Sequence, residues 1–490
     1  MKYFRSINRL MLVISLLLPS LGLISCSDDD DNYVPEGPVE LSVTRDGEPV
    51  DALSFGTYGG DALLTLVTNA YWEVSVSDGA EWLSLSNRSG DPTKGFPGKE
   101  DEPRYIKLTA EPLGESATRS CTVTFRAAGE VKNITVTQKQ PADADESGWE
   151  SASVANRNMG AGINLYNTLD AVGDWFDPDD IVAWETCWGQ PLAKQEWFDA
   201  VAASGFKAVR VPVTWAVHMD ANDVVKEPWM NRVEEVVNYA LNAGLYCILN
   251  VHHDTGQDGW LCADKANIEP IAARFTNLWT QIATRFNKYD HKLIFEGYNE
   301  MLDEKNSWVE PEPSGYEAVN ILAQTFVDAV RATGGNNLHR NLIVNTYGGG
   351  GSATRLDNLV IPNDRIDGHL MVEVHNYTPA GFSNLDGSLS EDTPEEELPL
   401  WTKEYEKTLG EELDLLIDFS NSRGVPVVIG ECGAYERILE EERAKYSEFI
   451  TSYSRSRANI SVFFWGQLID RNTCDELYPL FIDGFVNGSK

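Results

Sequence analysis

The sequence predicts an α/β chain whose main body is a (β/α)8 barrel preceded by a small all-β sandwich. Three observations predict this. Eight short apolar runs between residues 160 and 465 alternate with longer helical patterns, the order that builds a parallel sheet with helices around it. Those runs are apolar at nearly every position, as strands buried on both faces are. Residues 39–140 instead alternate apolar and polar residues over short β-branched segments separated by turns, the pattern of half-buried strands in a sandwich.

The elements follow in chain order. Lys2, Arg5 and Arg9 precede the apolar run LMLVISLLL, which is too short for a spanning helix of about 20 residues and has the layout of an export signal. Leu23-Ile24-Ser25-Cys26 resembles the lipobox of bacterial lipoproteins. That resemblance implies a signal peptide over 1–25 and lipidation at Cys26. SDDDDN is similar to the acidic export tag of surface lipoproteins, and 26–38 is then a solvated tether. The implied location is the outer membrane, facing outward, with membrane contact through the lipid only.

Within 39–140 the strand segments are LSVTRDG, DALLTLVTN, YWEVSVSDG, RYIKLTAEP, SCTVTFRAA and VKNITVTQK. YWEVSV followed by EWLSLS, with the closing ITVTQ, resembles the BACON module, a small immunoglobulin-like domain. Trp72 and Trp82 could serve as sugar platforms. Their place in alternating strands favours a role in the core, so the module is expected to be a spacer.

An acidic linker, 141–155, leads to the catalytic body at 156–490. Its strands are expected at GAGINL, KAVRVPV, YCILNV, KLIFEGY, NLIVNT, HLMVEV, VPVVIG and SVFFW. An open doubly wound sheet is the alternative, but GINLYNT is not the glycine-rich phosphate turn such a sheet carries. With 76 acidic and 39 basic residues among 490, the net charge of −37 argues against nucleic acid or an anionic membrane as partner. Beyond Cys26, six cysteines from Cys121 to Cys474 show neither metal spacing nor a disulfide framework.

Parallel strands closed into a barrel end at one mouth, so the polar residues just past these runs converge. They are Arg210, His252, His253, Asn299, Glu300, His375, Tyr377, Glu431 and Trp465. FEGYNE and VVIGE each end in glutamate, and two carboxyls at one mouth are the minimum needed to cleave a glycosidic bond. Asn299-Glu300, Glu431 and the Arg, His, His-x-Tyr and Trp positions are similar to those of glycoside hydrolase family 5. NLYNTLDA (which contains Asn164), WETCWGQP and VHHD narrow the resemblance to its subfamily 4 of endo-β-1,4-glucanases.

The resemblance implies Glu300 as general acid/base and Glu431 as nucleophile of a retaining reaction without a cofactor. Arg210 and Tyr377 are then expected to favour the ionised form of Glu431. Asn164, Arg210, His252, His253, Asn299, His375, Tyr377 and Trp465 bind substrate or orient the site. Ile163, Tyr166 and Gln190 depart from the usual Trp, Gly and Asn, which leaves sugar preference more open than chemistry.

A metal at HHD is not expected, because neighbours on a strand point to opposite sides. YGGGGSA lacks the Lys-Ser/Thr ending of a phosphate loop and is expected to be a flexible rim loop. The acidic stretch 378–400 is a second rim loop, and Trp184, Trp188, Trp260 and Trp308 are assigned to top loops. The expected substrate is xyloglucan or another β-1,4-glucan, acted on by a monomer. A mannanase, a xylanase or a non-catalytic glycan-binding lipoprotein remain the alternatives.

Overall fold

A computed structural model describes residues 33–490 apart from 36, 46, 56–59, 99, 112–117, 140–143, 146, 174, 178 and 258. The expected signal peptide, Cys26 and most of the tether lie outside the described residues. No described helix is long and apolar enough to cross a membrane.

Among the described residues, ten strands make the N-terminal sandwich. They are β1 (Leu41–Arg45), β2 (Glu48–Pro49), β3 (Ala52–Phe55), β4 (Gly60–Thr68), β5 (Trp72–Val76), β6 (Leu83–Leu85), β7 (Ser89–Gly90), β8 (Arg104–Ala110), β9 (Thr118–Ala127) and β10 (Glu130–Lys139). One sheet has the order β2-β1-β4-β8-β6 and the other β3-β10-β9-β5-β7. Leu64, Leu66, Ile106, Leu108, Val123, Phe125, Ile134 and Val136 fill the space between them. Trp72 and Trp82 are buried with this set, at 3% and 8% exposure. That placement removes both rings from any sugar surface.

Eight parallel strands form a closed barrel in chain order. They are β11 (Ala161–Asn164), β12 (Ala208–Val211), β13 (Tyr246–Asn250), β14 (Leu293–Glu296), β15 (Leu342–Gly350), β16 (Leu370–Asn376), β17 (Val427–Cys432) and β18 (Ser461–Phe464). Pairing of β11 with β18 completes the ring. The principal helices outside are Gln195–Ala203, Glu227–Asn242, Ile268–Arg285, Pro313–Ala332, Lys403–Arg423, Glu440–Ala458 and Pro479–Gly488. A further helix, Ala152–Met159, begins inside the expected linker. Its Ala152, Ala155 and Met159 close the lower end of the barrel against Ala208, Tyr246, Ile248, Ile294, Ile343, Met371, Val428 and Phe463.

The strand period of two then decides what lies above that apolar plug. Two residues beyond Ala208, Ile248, Ile294, Ile343, Met371 and Val428 stand Arg210, Asn250, Glu296, Asn345, Glu373 and Gly430. The upper interior of the barrel is therefore a polar layer beneath the mouth.

Two expectations about loops are corrected. YGGGGSA is no free rim loop, because β15 continues through Gly350. Trp184 lies in a helix (Ile181–Thr186) and is buried, its indole N–H donating to Asp177 O at 2.9 Å. The linker is held to the barrel floor by Asp145, whose carboxylate meets His339 at 2.5 Å and His369 at 3.5 Å. Arg45 of the sandwich donates to Asn363 Oδ1 at 2.8 Å, in the loop that precedes β16.

Candidate active site

Arg210 is the hub of the polar layer. It reaches inward from β12 with no exposed surface, and its guanidinium spends every nitrogen on a neighbour. Nε and Nη2 grip Glu296 at 2.7 and 2.8 Å. Nη1 donates to Glu431 Oε1 at 2.9 Å and to Asn164 Oδ1 at 3.0 Å. Nη2 also donates to Asn299 Oδ1 at 2.8 Å, which leaves the Asn299 amide N–H groups as donors for a ligand hydroxyl. Asn164 in turn donates to Gly430 O and Phe464 O, tying the first strand to the last two.

Glu431 is nearly enclosed, with 7% of its side chain exposed, whereas Glu300 shows 27%. Tyr377 Oη donates to Glu431 Oε2 at 2.8 Å. His375 stands between the acids, with Nδ1 2.8 Å from Glu300 Oε1 and Nε2 3.4 Å from Glu431 Oε1. One donor atom from each of Glu300, His375 and Glu431 lies within 4.8 Å of the others. The two glutamates, 131 positions apart in sequence, thus face one another at close range.

Electrostatics qualify the expectation for Glu431. Burial pushes its carboxyl up; His375 and Arg210 pull it down; Glu300 and Glu373 add to the push, and the net direction is upward. Arg210 is where it was expected and His375 adds a second cation, but desolvation of the carboxylate outweighs both. Burial also works against a charged His375, yet Glu431, Glu373 and Glu300 hold it well above the usual imidazole range.

Around this pair the remaining predicted residues form one wall. Trp465 lies parallel to His252, with centroids 5.4 Å apart and planes 6° apart, and meets Tyr166 edge-on. Gln190 Nε2 donates to Tyr166 Oη at 3.3 Å, so two of the positions that depart from the family pattern touch. Trp188 stands 5.3 Å from His253. Trp260 is fixed by Asp254 and covered by Arg274, and Trp308 is half exposed.

The argument that His252 and His253 diverge is corrected. β13 ends at Asn250, so the strand alternation no longer applies, and the two rings lie 4.5 Å apart. With Asp170 they bring three donor atoms within 4.8 Å of one another. Asp170 accepts from the backbone of Asn167 and Thr168, and His252 Nδ1 faces Asn250, whereas His253 Nε2, 3.8 Å from Asp170 Oδ2, has no hydrogen-bond partner among the described residues. In the group of Glu300, His375 and Glu431 the His375 Nδ1 is likewise taken by Glu300.

Several members of the site escaped sequence reasoning. Glu296, Glu373, Asn250 and Asn345 lie inside runs treated as purely apolar. Their signal was present: an ionisable or amide side chain within a strand buried on both faces needs a partner. Gly349 is another. With φ +64° it brings the backbone so near that a Cβ would lie 3.3 Å from the His375 ring and 3.4 Å from Glu300 Cγ. This glycine near the end of β15 thus makes room for His375 and Glu300.

Comparison with known proteins finds relatives for both parts of the chain. The family model described as Cellulase (glycosyl hydrolase family 5) matches residues 169–467. A second model, described as a putative N-terminal binding domain and named BACON, matches residues 71–139. Endoglucanase A of Clostridium longisporum is 30% identical over 77% of this chain and 73% of its own length. The xyloglucan-specific endo-β-1,4-glucanase of Bacteroides ovatus is 31% identical over 86% of this chain and 82% of its own. A crystal structure of a Prevotella bryantii family 5 enzyme variant with a xyloglucan tetradecasaccharide superposes with a TM-score of 0.62. It is 38% identical and covers 70% of this chain and 99% of that one.

Proposed function

The chain belongs to glycosyl hydrolase family 5, and from that premise we propose that it is a retaining endo-β-1,4-glucanase. The observation that carries this reading is the carboxyl pair, with oxygens of Glu300 and Glu431 within 4.8 Å. Retaining enzymes need about 5–5.5 Å between carboxyls, whereas an inverting enzyme leaves about 6.5–9.5 Å for its water.

In the proposed sequence Glu431 attacks the anomeric carbon while Glu300 protonates the departing glycosidic oxygen. The products are a glycosyl ester on Glu431 and a free chain end. Glu300, now ionised, takes a proton from water as the water oxygen attacks the same carbon, and Glu431 leaves as carboxylate. Arg210 and His375 stabilise that carboxylate, Tyr377 holds its second oxygen, and Asn299 faces the sugar 2-hydroxyl. Trp465 offers its flank to the ring.

For substrate we propose xyloglucan. The Bacteroides ovatus relative is named for it, and the Prevotella bryantii structure holds a fragment of it. An outer-membrane lipoprotein anchored at Cys26 suits a first cut on a polymer too large to import. Purified protein incubated with soluble xyloglucan, mixed-linkage glucan, substituted cellulose, mannan and xylan is expected to give most new reducing ends from xyloglucan. The first anomer formed is expected to be β by NMR. No new reducing ends from any glycan would overturn the enzymatic reading. A first-formed α anomer would overturn retention.

A further inference from the structure

Below the catalytic glutamates lies a second pair of carboxyls that the double displacement does not use. Glu296 of β14 and Glu373 of β16 are completely enclosed. Glu296 grips Arg210 with both oxygens. Glu373 Oε1 stands 3.8 Å from Nη2 of the same guanidinium and 3.1 Å from His375 Nε2. The latter contact lies off the N–H direction, so it is a charge contact more than an aligned hydrogen bond. Asn345, on the strand between them, turns one amide nitrogen to both, hydrogen-bonding Glu373 Oε2 and lying 3.5 Å from Glu296 Oε1. The two carboxyls are therefore turned to the same two nitrogens, Arg210 Nη2 and the Asn345 amide.

Two ionised carboxylates turned to the same donors, with no exposed surface on either, repel too strongly to persist. The charge balance points the same way. Four acids (Glu296, Glu373, Glu300 and Glu431) surround two cations, Arg210 and His375; of the other titratable groups facing them, burial holds Tyr298, Tyr377 and Cys432 neutral, lowers His252 and His253, and pushes Asp170 up to about 7. If Glu431 is the ionised nucleophile and Glu300 carries the proton it donates, one more negative charge balances the cluster.

We propose that Glu296 and Glu373 share a single proton and act as one anion that positions Arg210 and His375 against Glu431 and Glu300. Both are positioning residues, since neither reaches substrate. A single charge on this side holds one edge of the guanidinium and leaves Nη1 for Glu431. Gly430, just before the nucleophile, fits the same scheme, because a Cβ there would collide with Glu373 Oε1. Burial and Glu373 carry Glu296 up to about 7 against the pull of Arg210. Burial would raise Glu373 too, but Arg210 and His375 bring it down, so the proton resides mainly on Glu296.

The proposal rests on the two-glutamate reading for its activity measurements only. In the full chain, Glu296→Gln and Glu373→Gln each substitute an amide for one member while the other takes the charge. Each is expected to leave the acid limb of the pH–kcat/KM profile in place. The double variant removes the charge, and its loss is expected to exceed the product of the single losses by about tenfold. Infrared spectra at neutral pH in a Glu300→Gln background, which deletes the acid's own proton, supply a readout independent of turnover. A buried carboxylic-acid band is expected there and should vanish when either Gln substitution is added. Absence of that band, or single variants that each displace the acid limb, overturns the shared proton. Wild-type protein inactive on every glycan would sink the proposed function and leave the infrared result decisive.

Discussion

Tyr377 Oη donates to Glu431 Oε2 at 2.8 Å, on the carboxylate oxygen opposite the one that Arg210 Nη1 holds at 2.9 Å. Glu431 is thus clamped from two sides, with its orientation set before a ligand arrives. A hydrogen bond to a charged group contributes about 1.5–3 kcal/mol. Tyr377→Phe is therefore expected to lower kcat on soluble glucan by about ten- to a hundredfold while the thermal midpoint moves little. Undiminished kcat would show that Arg210 and His375 suffice to hold Glu431.

Removing the carboxyls themselves separates their roles. Glu431→Ala is expected to abolish turnover of polymer and of activated aryl glycosides alike, because no covalent intermediate can form. Glu300→Ala is expected to cost about 10²–10⁴-fold on polymer. It should cost far less in the first step of an aryl glycoside whose leaving group needs no proton. Burst kinetics on such a substrate measure that step directly, and equal losses on both substrates would remove the acid/base assignment.

Gly349 gives a test of close packing. Alanine there must adopt φ +64° with its Cβ 3.3 Å from the His375 ring. Forcing a side chain into that backbone region costs about 1–3 kcal/mol, and the ring must give way toward Glu300. Gly349→Ala is expected to lower both the thermal midpoint and kcat. A variant of normal activity would mean that His375 has freedom the fold does not suggest.

Acid stability should depend on the floor of the barrel as well as its mouth. Burial alone would raise Asp145, but the Ser147 hydroxyl, the Trp149 backbone N–H and His339 hold it at about 2. A depressed carboxyl contributes stability above its unfolded value of about 3.8, and that contribution is lost as pH falls toward 2. His369, lowered to about 4 mainly by burial, favours the fold while neutral, so stability already begins to fall below about 6.5. Unfolding followed from pH 7 to 2 is expected to show both windows, with Asp145→Asn flattening the lower one. A variant that tracks the wild type below pH 4 would show that the linker contact adds nothing.

Much of the site was legible because strand ends are local. The apolar runs at KAVRVPV, KLIFEGY and VPVVIG fall on β12, β14 and β17, and a closed parallel barrel brings their last residues together whatever the helices do. Glu296 and Glu373 were missed for the opposite reason. A single acidic letter within an apolar run looks like noise until its partner is known, and the partner common to both, Arg210, comes from another strand. The glycines of YGGGGSA misled in the same way, since composition reports their freedom but not the ring lying against them. His252 and His253 show the limit of periodicity, which holds only while the strand continues.

Chain order and residue type alone pointed to the barrel, the sandwich before it and the two glutamates, Glu431 near the end of β17 and Glu300 four residues past β14, because each rests on periodicity over a few neighbouring residues. The distance between those glutamates, the upward push on Glu431 and the convergence of Glu296 and Glu373 on Arg210 beneath them came from strand closure. Energies of that kind depend on separation in space and on exclusion of water. Neither quantity exists until residues far apart along the chain are buried together.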